Sequence, residues 1–187
     1  MRITSIFILS VLFISGNLLA QNRGPRASLK ASVSQTIGTD TEITIVYSRP
    51  GVKGRTIWGD LVPMGMAPGT NYSNNKPFPW RAGANENTTF ETNKDIMVEG
   101  KVLPAGKYGL HMIPGEKEWV IIFSKTNDAW GSFKYDETND ALRVTVTPVE
   151  APFEEWLSYG FDDLAETSAT AYLHWEKKKI PFKVAVK

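Results

Sequence analysis

The chain has 187 residues, 21 Lys and Arg against 20 Asp and Glu, and no cysteine. That charge balance argues against nucleic acid or an anionic membrane as partner, because either demands a surplus of basic residues. Without cysteine, disulfides and lipid attachment through a thiol are excluded, so stability must come from a hydrophobic core.

The first twenty residues read as a cleaved secretory signal. Met1-Arg2 supplies a positive start, residues 3–14 an apolar run too short to span a bilayer, and the small-residue stretch to Ala20 an exit before Gln21. A secreted or periplasmic protein follows, with no membrane insertion after cleavage. Residues 21–29 mix Gly, Pro and charge and read as a flexible tether. Residues 30–187 are long enough for one domain.

From Lys30 the pattern alternates, with Ala31, Val33, Gln35 and Ile37 on one face. Gly38 to Thr41 turns the chain, and Ile43, Ile45 and Tyr47 then share a face, completing a hairpin. Beyond a long loop, short strands are expected at 88–92, 96–98, 107–113, 119–124, 142–149 and 156–161. A last hairpin is expected from 167–176 and 180–186. Single helical turns are compatible with 125–130 or 153–157. This rhythm predicts an all-β fold: a single antiparallel β-sandwich, jelly-roll-like, of about nine to eleven strands with one long ordered loop.

That loop, residues 47–86, holds five prolines and six glycines and follows neither a helical nor a strand period. Ordered loops of this length commonly carry function. Arg49, Lys53, Arg55 and Arg81 stand near Trp58 and Trp80 in sequence, with Asn85 and Glu86 close behind. Arg forks match carboxylate, sulfate or phosphate groups, and an indole face stacks on sugars. These eight residues are the candidate ligand-binding set; the competing expectation is that they pair internally and merely shape the loop. Glu86 as acid or base with His111 assisting would be the catalytic pair if the protein is an enzyme. Two distant histidines and no cysteine match no zinc spacing, so neither a metal nor a cofactor is expected. In LPAGKY (103–108), the Gly-x-Tyr pattern suits a tyrosine corner, a structural role.

Four stretches together, YSRPGVKGR (47–55), IWGDLVP (57–63), WRAGANE (80–86) and LPAGKY (103–108), resemble the bacterial domain-of-unknown-function family numbered 2911. The resemblance runs from about Ala31 to Val184. It implies a secreted protein of Bacteroidetes-type bacteria and adds little about activity. The chain is similar to a longer-loop variety, in which residues 64–79 add Tyr72 and Phe78 ahead of Trp80.

Three functions are compatible with these residues. The first is a binding protein for a small polar ligand, glycan or peptide held by the 47–86 loop. The second is a hydrolase or isomerase using Glu86 and His111. The third is an envelope protein–protein interaction module. Oligomeric state is not legible in the sequence.

Overall fold

A computed structural model describes residues 24–187. The expected signal and the first residues of the tether lie outside the described residues. Among the described residues ten strands form two antiparallel sheets. They are β1 (Leu29–Ile37), β2 (Thr41–Arg49), β3 (Thr88–Thr92), β4 (Ile96–Val98), β5 (Lys101–Leu103), β6 (Gly106–Ile113), β7 (Trp119–Ser124), β8 (Asp140–Val146), β9 (Val149–Asp162) and β10 (Ser168–Val186). One sheet has six strands in the order β1-β2-β3-β6-β7-β8; the other has four, β5-β4-β10-β9. They face one another as a sandwich and do not close into a barrel. Among the described residues no helix is long and apolar enough to cross a membrane. The helical turns fall at Asn71–Ser73 and Glu137–Asn139, not at 125–130 or 153–157.

The alternation in the sequence explains the core. Ile43, Ile45 and Tyr47 of β2 all point inward and are buried, while Ser34 and Thr44, paired in register, bond to each other on the outer face. Phe90, Phe123 and Phe182 form an aromatic contact across the two sheets, with ring centroids 5.1 to 6.3 Å apart. The Glu99-Gly100 turn joining β4 to β5 has positive φ at both residues (48° and 75°), the backbone that a two-residue hairpin loop requires.

The C-terminal strand corrects the expected last hairpin. Residues 167–176 and 180–186 belong to one 19-residue strand, β10. The Lys177-Lys178-Lys179 run does not turn the chain. Register shifts flank Glu176, whose φ is 56°, and the strand continues. It pairs first with β9 and then with β4, and Pro181, which cannot donate to a ladder, falls between the two pairings. Pro152 is similarly tolerated because β9 is an edge strand.

The long loop is held by backbone bonds to strands far away in sequence. Val52 N donates to Glu155 O, Leu157 N to Pro50 O, and Trp80 exchanges two bonds with Met112 of β6. Trp80 thus takes a place beside β6 just beyond the end of β3. Trp58 packs against Trp119 of β7 and Trp175 of β10, with centroids 5.0 and 5.8 Å away, and against Trp80 at 5.8 Å. Trp80 stacks on Trp175. Four indoles therefore close one end of the core.

Candidate functional site

The structure assigns the candidate residues to different tasks. Arg49 ends β2, donates from Nε to Leu157 O at 2.8 Å and lies 3.9 Å from Glu154, so it ties the two sheets together. Lys53 is exposed; its backbone N–H donates to Glu155 Oε1, and its ammonium lies 5.7 Å from the Trp156 ring centroid. Trp58 belongs to the indole cluster, and its Nε1 is buried without a partner among the described residues.

Arg55 braces its own turn, with Nε donating to Val52 O at 3.1 Å and Nη2 to Gly51 O at 2.6 Å. Among the described residues Nη1 is unengaged. Arg81 donates from Nη1 to Asn85 O at 2.7 Å, and its guanidinium lies 5.1 Å from the Phe133 ring centroid. It has no carboxylate partner among the described residues, and burial lowers its pKa from the ordinary arginine value. Gly131 is what makes room for it: a Cβ there would lie 2.4 Å from Arg81 Cζ.

The 81–86 turn is pinned from below. Ala82 is fully buried at φ 50°, and its carbonyl accepts from Thr88 Oγ1 at 3.0 Å and from Tyr159 OH at 2.8 Å. Gly83 passes so close to Thr88 that a Cβ would sit 2.7 Å from its hydroxyl. Asn85, at φ 64°, donates from Nδ2 to Ser28 O. Glu86 is exposed and paired with Arg26 at 2.6 Å; that hydrogen bond holds its carboxyl below the ordinary glutamate range. Arg26 and Ser28 belong to the stretch expected to be a tether, and each shares a hydrogen bond with this turn.

Glu86 and His111 are not joined by a hydrogen bond. His111 is buried on the outer face of β6, beneath residues 125–139, and shares a 2.7 Å hydrogen bond between Nδ1 and Ser132 Oγ. Burial, with a smaller contribution from the Arg81 charge, pushes its pKa down to about 4. The imidazole is therefore neutral at pH 7. Tyr135 packs edge-on against it, 5.6 Å away, with its own hydroxyl donating to Asp140 Oδ2 and receiving from Arg143. Asn87 fastens the covering segment: its Nδ2 donates to Gly131 O, and its Oδ1 accepts from Ala129 N, each at 2.7 Å. No group of three His, Asp or Glu able to hold a metal occurs among the described residues.

Four candidates do meet, in a cleft of about 300 Å³. Arg55, Trp80, Arg81 and Asn85 line it together with Ser28, Pro50, Leu61 and Trp175. No Asp or Glu is among its lining residues. Arg49, Lys53, Trp58 and Glu86 do not line it. Sequence reasoning missed Ser28 and Trp175, because only the folded chain brings β10 and the start of β1 to the loop. It also missed Ser132 and Tyr159, which lie outside the loop and carry no local signal.

LPAGKY behaves as expected, with Tyr108 OH donating to Pro104 O at 2.9 Å. No curated protein and no solved structure matches the chain. A family model described as a protein of unknown function, DUF2911, matches residues 28–184, nearly the whole described chain. The chain belongs to the DUF2911 family.

Proposed function

We propose that the chain is an exported binding protein that takes a small polar ligand bearing a carboxylate or similar anionic group, such as a peptide terminus, in the cleft beside Arg55 and Trp80. The observation that carries this reading is the cleft's chemistry: Arg55 and two indoles line it with no acid among its described lining residues, while the Arg81 guanidinium is engaged by Asn85 O and Phe133. Arg55 has one nitrogen left to donate, and the flat indoles of Trp80 and Trp175 would contact the apolar part of such a ligand. Export rests on the N-terminal pattern of charge, apolar run and small-residue exit.

Catalysis through Glu86 and His111 would require the two to act on one atom. One is on the surface with Arg26 and the other is buried with Ser132, so the geometry favours binding.

A thermal-shift screen with amino acids, dipeptides, short-chain carboxylates and phosphate tests the reading. A ligand at about a hundred times its Kd adds roughly 3 kcal/mol of stability, a shift of several degrees. The expected result is a stabilising carboxylate whose effect disappears in Arg55→Ala, with the unliganded variant still folded. An empty screen, or a hit unaffected by Arg55→Ala, would overturn it.

A further inference from the structure

A second concavity lies away from the Arg55 cleft, on the outer side of the six-stranded sheet, and its walls are aromatic. Tyr72 is 79% exposed and Trp130 60% exposed, the two most open aromatic side chains among the described residues. They face a cleft of about 540 Å³ whose lining also includes Phe133, Thr126, Asp128 and Lys134. Tyr72 contacts Phe133 with ring centroids 5.6 Å apart. Asp128 and Lys134 form no ion pair among the described residues, so the rim offers an unengaged carboxylate and ammonium.

Both walls are held in place without a ligand. Residues 70–76 are fixed by Ser73 Oγ, which accepts from Thr70 N at 2.8 Å and donates to Lys76 O at 2.7 Å. Ala67 and Phe78 bond each other across the base of this loop. The opposite wall is fastened by the Asn87 bonds to Ala129 and Gly131. Aromatic side chains carried on backbone fixed in this way have only two side-chain torsions each to lose when something stacks on them.

Tyr72, Phe133 and Lys134 also line a neighbouring, more polar cleft of about 670 Å³, which adds Ser73, Asn74, Asp136 and Glu137. The two concavities share a wall and form a two-lobed groove. One lobe is aromatic, and the other carries hydroxyl, amide and carboxylate groups.

We propose that this groove binds a linear, neutral oligosaccharide, with a pyranose ring stacked on Trp130 or Tyr72 and the next units running past Tyr72 into the polar lobe. A sugar ring combines an apolar C–H face with equatorial hydroxyls. The aromatic walls match the first, and Thr126, Asp128, Lys134 and Asp136 match the second. A purely apolar ligand would leave those polar groups desolvated and unpaired. Two shared lobes fit an extended chain better than a single compact molecule.

Affinity electrophoresis and calorimetry with cello-, xylo-, malto- and chito-tetrasaccharides test this. The expected result is binding of at least one of them, weakened roughly tenfold or more by Trp130→Ala and by Tyr72→Ala. Tyr72→Phe, which keeps the ring, should retain most of the affinity, and Arg55→Ala should leave it unchanged. Both aromatic positions are exposed, so these variants should melt as the parent does. No binding of any of the four, or binding indifferent to Trp130→Ala and Tyr72→Ala, would overturn the proposal. Because Arg55 lies outside the groove, this outcome is separate from that of the carboxylate screen.

Discussion

His111 carries the clearest pH dependence of any single residue. The unfolded chain binds a proton on this imidazole near its ordinary value of 6.5, whereas the folded chain binds it only near 4. Between those values the unfolded state holds more protons, so stability is fully present above about pH 6.5 and is lost as the pH falls towards 4. The loss amounts to about 3 kcal/mol for this residue. Urea titrations from pH 7 to pH 4 should therefore show a steeper decline for the parent than for His111→Gln; parallel declines would mean that the imidazole is hydrated. Arg49 makes a different prediction. Its bond to Leu157 O joins the sheets, so Arg49→Ala should cost about 1–2 kcal/mol in denaturant unfolding while leaving carboxylate binding intact. Loss of ligand affinity with unchanged stability would reverse that assignment. Glu86→Gln removes only an exposed pair with Arg26, and the melting temperature should hardly move.

Among the elements, legibility followed the range of the forces. Ile43, Ile45 and Tyr47 announce β2 because alternation is a local property, and Tyr108 announces its corner because its acceptor is four residues upstream. The hairpin expected from 167–176 and 180–186 is instead the single strand β10. The continuous strand owes its survival to pairing with β9 on one side and β4 on the other, which no local pattern records. In the 47–86 loop, composition groups the arginines but does not separate their tasks: Arg49 bonds a strand 108 residues away, and of the loop's arginines Arg55 and Arg81 are among the residues lining the cleft. Arg26 and Ser28 gave no signal at all, since a Gly- and Pro-containing stretch looks the same docked or loose. The indole cluster on which the loop packs supplies an element-scale test. Trp119 is almost wholly buried beneath Trp58, and Trp119→Ala should cost about 3–5 kcal/mol. A loss below about 1 kcal/mol would show that the loop does not rest on it.

The whole molecule is a sandwich whose core is closed at one end by four tryptophans, and the Arg55 cleft opens directly against two of them, Trp80 and Trp175. The oligosaccharide groove uses a different one, Trp130. Six tryptophans in all give six indole N–H resonances, a set of reporters already placed at the relevant points. The most direct test of the binding account is to follow those resonances by two-dimensional NMR while titrating amino acids and short-chain carboxylates into the protein. The account predicts saturable shifts at Trp80 and Trp175, a still Trp130 resonance, and loss of the shifts in Arg55→Ala. Titrations that leave Trp80 and Trp175 unmoved, or that move only Trp130 or Trp156, would contradict it.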